Sequence, residues 1–154
     1  MNSCDFSSGN WSCDETPMDW ELRNFSIDHY QQDIIPLIKR AEKAAGGPIQ
    51  LLASPWSPPA WMKDNQWMCN GGKLREECRH VWALHYTKFA KAMAKEKLPL
   101  WGFTVQNEPE CANGWENCVY TPEEERNFVR DHLGPALEKA DLTDLKLIVW
   151  DHNR

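Results

Sequence analysis

Three short apolar segments, each preceded by an amphipathic segment, restrict the fold of this 154-residue chain more than any other feature. The apolar segments are rich in β-formers and lie at residues 49–54, 100–106 and 145–150. The amphipathic segments at 27–45, 75–96 and 122–139 carry apolar residues at helical spacing. Strands that alternate with helices of this length are typical of parallel βαβ units with right-handed crossovers. The sequence therefore predicts an α/β protein built on a parallel sheet.

Local signals mark where the predicted helices begin and end. Ser26 is a favoured N-cap for the first helix and Gly46-Gly47-Pro48 ends it, while Pro36 requires either a kink or a late start. Thr121-Pro122-Glu123-Glu124 is a capping box with proline at the first helical position. We expect glutamates 123, 124 and 125 to be helix N-terminal charges that interact favourably with the helix dipole. Residues 1–25 lack sustained periodicity and predict a structured loop.

Each predicted strand is followed by side chains that can carry chemistry. The first strand is followed by Trp56 and Trp61, the second by Asn107 and Glu108, and the third by Asp151, His152 and Arg154. In a parallel sheet these ends lie at one edge, which is where α/β enzymes build their active sites. Pro109 restricts the residue before it, so we expect extended geometry for Glu108 at the exit of its strand. The pattern predicts a functional site centred on Glu108.

Composition argues against some classes of function. The net charge of -6, with scattered basic residues, argues against binding of nucleic acid. No apolar run approaches the roughly 20 residues needed to cross a bilayer, and the N-terminus lacks the pattern of a signal peptide. Nine tryptophans, several times the usual share, suit a surface that stacks on sugar rings. We nevertheless expect most of them, including Trp82, Trp101 and Trp150, to pack in the core.

Six cysteines and two glycosylation sequons point to an oxidising compartment. No CxxC pair occurs, so the sequence predicts no zinc site. Local disulfides, such as one between Cys111 and Cys118, fit the spacing, but the connectivity cannot be read from the sequence. The sequons begin at Asn10 and Asn24.

Three motifs carry a resemblance to a known family. Ser3-Cys4-Asp5-Phe6, the run from Leu51 to Lys63, and Thr104-Val105-Gln106-Asn107-Glu108-Pro109 resemble, in order and spacing, segments of glycoside hydrolase family 30, in particular its acid glucosylceramidases. Segments at 16–17, 22–26 and 122–137 agree, so the resemblance covers essentially the whole chain. It implies a (β/α)8 barrel of which this chain holds about the third to fifth strands. Residues 1–154 would then be a fragment of a single catalytic domain.

The resemblance also implies roles for individual residues. Glu108 corresponds to the general acid/base of a retaining β-glucosidase, and Asn107 to the neighbour that holds the 2-hydroxyl of the sugar. Asp5 and Trp56 correspond to residues that contact the glucose. Asn24 corresponds to a glycosylated position of the family.

Two roles fit the residues at the end of the third strand. Asp151 and Arg154 correspond to polar residues that support the site, although a capping role for Asp151 fits the sequence equally well. The nucleophile of the family corresponds to no residue of this chain, and neither Glu110 nor Asp151 is a good substitute for it.

The implied function is hydrolysis of glucosylceramide with retention, without a cofactor or metal, in the lysosome or outside the cell. The whole protein would contact its glycolipid substrate and, in addition, a membrane surface or an activator protein. We expect the isolated chain to be inactive and prone to aggregate through its open sheet edges. Two alternatives stay open: a family 30 hydrolase of another β-linked glucan or xylan, and a non-catalytic sugar-binding fragment.

Overall fold

A three-stranded parallel sheet forms the centre of the structure, a computed structural model that describes residues 1–153. The strands are β1 (Leu52–Ala53), β2 (Gly102–Thr104) and β3 (Lys146–Ile148), and they lie side by side in that order. Phe103 of β2 pairs with Ala53 on one side and with Leu147 on the other. The predicted α/β architecture with parallel strands is therefore confirmed.

The regular ladders are shorter than the predicted strands, but the pairing continues beyond them. Trp101 N–H donates to the Leu51 carbonyl at 2.8 Å before the β1–β2 ladder, and Asn107 N–H donates to the Pro55 carbonyl at 2.9 Å after it. On the other side of β2, Val105 N–H donates to the Ile148 carbonyl at 3.0 Å. The extended segments thus correspond to the predicted ones, with regular geometry only at their centres.

The first predicted helix is two helices, α1 (Asp28–Gln32) and α2 (Ile34–Ala45). The chain breaks at Asp33, whose φ of -143° is not helical. Pro36 is therefore the third residue of α2, where a missing N–H costs no intrahelical hydrogen bond. The late start that Pro36 required is confirmed. Gly46 ends α2 in the left-handed conformation with φ 78°, as the glycine pair predicted.

Helix α3 (Arg79–Lys95), which follows a short 3-10 turn at Glu76–Cys78, packs against β2. Its buried face includes Trp82, Tyr86 and Phe89. The Tyr86 ring meets the Phe103 ring of β2 at 5.1 Å, and the Tyr86 hydroxyl donates to the Val105 carbonyl. This contact fixes α3 over the centre of the sheet. Trp82 is buried as predicted. Trp101, which directly precedes the central strand β2, is 40% exposed, so its predicted place in the core is wrong.

The third predicted helix consists of α4 (Pro122–Phe128), a π-helical turn (Val129–Leu133) and α5 (Gly134–Lys139). The capping box is confirmed, because the Thr121 side chain accepts from Glu124 N–H and the Glu124 carboxylate accepts from Thr121 N–H. Pro135 accounts for the π turn. It lacks an N–H, and its ring would clash with the carbonyl four residues earlier in a regular α-helix.

The loop of residues 1–27 is tied to the end of β1. The Asn2 side chain donates to the Ser57 carbonyl at 2.9 Å and accepts from Cys13 N–H at 3.0 Å. All six cysteines are free in this structure, so the disulfide between Cys111 and Cys118 that the spacing allowed is not formed. Cys118 is buried in the core, whereas Cys111 is partly exposed and its sulfur contacts the Asn113 amide. Within residues 1–153, no helix is long and apolar enough to cross a membrane.

Candidate functional site

The carboxyl ends of the three strands meet at one edge, as the sequence predicted. Beyond β2, Asn107 pairs with Asp151 in an isolated parallel bridge that follows β3. Glu108 N–H donates to the Asp151 carbonyl at 2.7 Å, while Asn107 N–H reaches the Pro55 carbonyl that follows β1. The backbone around Glu108 is therefore bound to both neighbouring strand ends.

Glu108 does not have the extended backbone that its neighbour Pro109 predicted. Its φ of 44° lies in the left-handed region, which is unfavourable for a residue with a side chain. Two hydrogen bonds impose this conformation, because Glu108 N–H is held by the Asp151 carbonyl and the Glu108 carbonyl accepts from Cys111 N–H at 2.8 Å. The half-buried carboxylate accepts from the Asn153 side-chain amide at 2.6 Å. Strained residues of this kind are found preferentially at functional sites.

The Asp151 side chain is held by the Ser54 hydroxyl, which in turn pairs with the Thr104 hydroxyl. Its Oδ2 atom accepts from Ser54 Oγ at 3.0 Å, and the Ser54 and Thr104 hydroxyl oxygens are 2.5 Å apart. Ser54 follows β1 and Thr104 ends β2, so this network joins all three strand ends. The Asp151 side chain is oriented by tertiary contacts.

Glu125 was predicted to be a helix N-terminal charge, and it does lie in the first turn of α4, but it also has a buried role that was not predicted. The residue is 2% exposed, and its two carboxylate oxygens accept from Trp150 N–H at 3.3 and 3.1 Å. Burial raises the pKa of the Glu125 carboxyl, and the nearby Asp151 charge raises it further. A signal existed, because Glu125 precedes the buried Phe128 by three positions and so lies on the same helical face. Glu124, by contrast, has the capping role and pairs with Lys73 at 2.6 Å.

Gln106 is a further residue of this edge that the sequence analysis did not select. Its fully buried side-chain amide donates to the Trp56 carbonyl at 2.7 Å and to the Asn107 carbonyl at 2.9 Å. It thereby fixes the backbone of two predicted substrate residues relative to each other. The period of two along the strand placed Gln106 on the same side as Thr104, which was the available signal.

Trp56 and Asp5 lie on the loops that border the edge. Trp56 is half-buried, and its ring is 6.3 Å from the ring of Phe6, which is 88% exposed. Asp5 is exposed beside Phe6. Trp61 faces away from this cluster, because its indole N–H donates to the Asp14 carbonyl at 3.1 Å.

The remaining predicted residues have surface roles in the structure. His152 Nε2 lies 3.1 Å from the exposed Glu110 carboxylate, so Glu110 points toward a histidine partner. Arg154 lies outside the described residues. Asn24 is exposed and its side chain donates to Asp19 at 3.1 Å, while the exposed Asn10 donates to the Cys69 sulfur at 3.3 Å. In the described part of the chain, no group of three or more His, Cys, Asp or Glu side chains could hold a metal ion.

The arrangement suits proton transfer to a bound molecule. A half-accessible carboxylate is fixed on a rigid strand end, beside an amide side chain at Asn107 and within an edge that also carries an aromatic residue, Trp56. Aromatic rings stack on the apolar faces of sugars, while amides and carboxylates bind their hydroxyl groups. These are the groups that a glycoside-cleaving site needs on its acid side.

Comparisons with known proteins agree with this geometry. Residues 1–154 match the model of the glycosyl hydrolase family 30 TIM-barrel domain. The chain is 39% identical to putative glucosylceramidase 3 of Caenorhabditis elegans, with 99% of this chain and 31% of the relative covered. It is 38% identical to lysosomal acid glucosylceramidase of Mus musculus, with 100% and 32% covered. The chain thus spans about a third of the length of these curated relatives.

Solved structures share the fold as well. SrfJ from Salmonella typhimurium superimposes with a TM-score of 0.91 at 36% identity, covering 98% of this chain and 34% of that one. The endo-β1,6-glucanase BT3312 superimposes with a TM-score of 0.85 at 29% identity, covering 97% and 34%. The parallel strands, the carboxylate at the end of β2 and the match along the full chain agree, and the chain belongs to glycoside hydrolase family 30, of whose TIM barrel it forms a part.

Proposed function

We propose that this chain carries the acid/base half of the active site of a retaining β-glucosidase that hydrolyses glucosylceramide to glucose and ceramide. The observation that carries the proposal is the position of Glu108, a half-buried carboxylate bound through its backbone to the end of β3. Residues 1–154 would be a fragment of one barrel domain, since the family relatives are about three times as long.

The proposed chemistry requires two carboxyl groups. A retaining glycosidase uses one to protonate the departing oxygen and a second, about 5 to 5.5 Å away, to attack the anomeric carbon. Glu108 has the role of the proton donor, and the nucleophile would come from a part of the domain that this chain does not match. Asp151 and Glu110 are less suitable nucleophiles, because one is bonded to Ser54 and the other is paired with His152.

The neighbouring residues would bind the glucosyl ring. Asn107 would hold the 2-hydroxyl, and Asp5 and Trp56 would contact the rest of the sugar. The fixed backbone of Asn107 and Trp56, both bonded to Gln106, supports this assignment. By their correspondence to polar residues of the family, Asp151 and Arg154 would support the site.

The cellular setting belongs to the same proposal. Because one relative is named a lysosomal acid glucosylceramidase, we propose a lysosomal or secreted protein with glycans at Asn24 and Asn10. Contact with a membrane surface or an activator protein would bring the glycolipid to the site. The exposure of both asparagines is compatible with glycosylation.

Glu108→Gln in the protein that contains this chain tests the catalytic role. Removal of the acid should reduce hydrolysis of a β-glucoside with a poor leaving group about 10²–10⁴-fold. A dinitrophenyl β-glucoside needs little protonation of its leaving group, so its first step should lose far less rate. Added azide should then yield β-glucosyl azide, because the covalent intermediate no longer has a base to activate water.

Glu110→Gln is the matched control, since Glu110 is two residues away, is exposed, and pairs with His152 in the described part of the chain. It should retain activity on both substrates. Equal losses for Glu108→Gln on the good and poor leaving groups would contradict the acid/base role.

A second function is favoured by a specific likeness, the TM-score of 0.85 with an endo-β1,6-glucanase. On that basis a β-linked glucan would replace glucosylceramide as the substrate, with the same acid. Comparison of rates on glucosylceramide micelles and on a β1,6-glucan decides between the two. A sugar-binding protein without turnover is the third outcome, and it requires binding of glucosides with no hydrolysis by the unmodified protein.

A further inference from the structure

A second cleft lies between the N-terminal loop and the loop that follows β1. It has a volume of about 340 Å³ and is lined by Asn10, Ser12, Glu15, Pro17, Ala60, Trp61, Gln66, Trp67 and Met68. None of these residues except Asn10 was given a role in the candidate site, and Asn10 only as a glycan acceptor. We call this feature the Trp67 cleft. Its volume is at the lower end of the range for ligand sites, about 300–1,000 Å³.

The cleft has one large aromatic surface in solvent. Trp67 is 53% exposed, which is unusual for a residue type that is strongly buried on average. Trp61 lies opposite in the lining, and its indole is held by the Asp14 carbonyl. A flat apolar ring that stays in solvent is suited to stacking on the apolar face of a pyranose ring.

The loop that carries Trp67 is held in one conformation by Asn65. The Asn65 side chain accepts from Trp67 N–H at 3.2 Å and donates to the Cys69 carbonyl at 3.1 Å. Gly72 passes so close to Asn65 that a Cβ atom there would lie 2.4 Å from the amide carbon. Trp67 therefore projects from an ordered turn, and a ligand would not have to order the loop when it binds.

An unpartnered polar group lies in the wall of the cleft. Ser12 is 7% exposed, and its hydroxyl has no hydrogen-bond partner among residues 1–153. Its oxygen is also shielded from solvent, so a ligand in the cleft would reach the neighbouring Glu15 carboxylate rather than this hydroxyl. The Ser12 backbone N–H donates to one oxygen of the exposed Glu15, whose second oxygen is available for a ligand.

The combination identifies the chemical class of ligand. Carboxylate and amide groups from Glu15 and Gln66 can bind vicinal hydroxyls, while Trp67 offers an apolar face. A purely apolar ligand would leave these polar groups unpaired, and an anion would be repelled by Glu15. We infer that the Trp67 cleft binds a pyranose ring of a carbohydrate, at a place separate from the residues around Glu108.

The Trp67 cleft nevertheless lies at the same edge of the sheet as Glu108, the edge formed by the carboxyl ends of the strands. It is built from the loop after β1 and from the N-terminal loop, which is bonded to Ser57 at the end of β1. The Asn10 amide also contacts the Cys69 sulfur and so joins the two loops. A sugar held there would lie on the side of the sheet that carries Glu108.

Fluorine NMR on fluorotryptophan-labelled protein tests this inference directly. The protein is made in bacteria, so that Asn10 carries no glycan, and is titrated with methyl β-D-glucoside. Resonances are assigned from single substitutions. We expect the Trp67 resonance to shift with saturation in the millimolar range, and to do so equally in a Trp56→Ala background.

Two variants complete the test. Glu15→Ala should weaken binding at Trp67 several-fold, and Trp67→Phe should retain weaker binding that is seen at the Trp61 resonance. Trp115, which is 40% exposed outside the cleft, is the matched control and its resonance should not move. No shift of Trp67, or an equal shift of Trp115, overturns the inference. These readouts need no turnover, so they are independent of whether Glu108 acts as the acid.

Discussion

His85 is fully buried on α3 and should make the stability of the protein depend on pH. Its ring packs against Phe25 and Trp82, with centroids 5.0 and 4.7 Å away. Neither ring nitrogen has a hydrogen-bond partner among residues 1–153. Burial lowers the pKa of His85 from 6.5 to about 3, because the imidazolium form would lose its hydration without gaining a partner.

The direction and size of the effect follow from proton linkage. In the unfolded chain His85 takes up a proton below its ordinary pKa of 6.5, whereas the folded protein excludes that proton until about pH 3. The stability contribution of the neutral form is therefore present above pH 6.5 and is lost as the pH falls toward 3. Each pH unit in this window lowers the free energy of unfolding by about 1.4 kcal/mol, so at about pH 5 the protein has lost about 2 kcal/mol of stability.

His85→Leu should abolish this loss of stability at acidic pH, because leucine does not titrate and is similar in volume to histidine. Urea unfolding of the protein at about pH 7.5 and about pH 5 measures the difference in free energy. When the pH is lowered from about 7.5 to about 5, the free energy of unfolding of His85→Leu should rise by about 2 kcal/mol relative to that of the wild type. His80→Leu is the matched control, since His80 is exposed on the same helix, and it should follow the wild type within about 0.5 kcal/mol. A gap between wild type and His85→Leu that does not change with pH would refute the reasoning.

Two further predictions concern the sheet and the end of β3. Gly102→Ala would place a Cβ atom 2.5 Å from the Lys146 carbonyl oxygen and should cost about 1–3 kcal/mol of unfolding free energy, whereas Gly114→Ala, with no atom within 4 Å, should be nearly neutral. Glu125 has a raised pKa, so its contribution to stability is present at acidic pH and is lost as the pH rises through the folded pKa. Glu125→Gln stays neutral and can still accept the same backbone N–H, so thermal unfolding at about pH 4 and about pH 7 should show it gaining stability relative to the wild type as the pH rises. A constant difference would mean that folding does not raise the pKa of Glu125.

The features that sequence predicted well depend on groups close together in the chain. Thr121 and Glu124 form their capping box within four residues, and Gly46 ends α2 through its own left-handed φ. Parallel pairing then brings the ends of the strands to one edge without any knowledge of side-chain contacts. That edge was predicted from the alternation of helices and strands alone, and the family was predicted from the sequence motifs that lie there.

The features that sequence did not predict depend on distant partners. Glu108 was expected to be extended, but its N–H donates to the Asp151 carbonyl and its carbonyl accepts from Cys111 N–H, and these bonds hold it at φ 44°. Glu125 was expected to be only a helix N-terminal charge, but it also caps the Trp150 N–H across 25 positions. Ser54 reaches Asp151 across 97 positions. These contacts form only when α4 and β3 pack against the neighbouring strands, and the helical spacing of Glu125 to Phe128 indicated a buried position without indicating the partner.

The position of Glu108 is consequently a property of several elements together. Glu125 on α4 holds Trp150, whose φ of 55° turns the chain just before Asp151. The Asp151 carbonyl then fixes Glu108, and Ser54 fixes the Asp151 side chain from the β1 side. Since each contact joins a different pair of elements, displacement of α4 would move the candidate acid without any change to its own strand. Glu125 therefore belongs with the candidate site, although it lies outside all three sequence motifs.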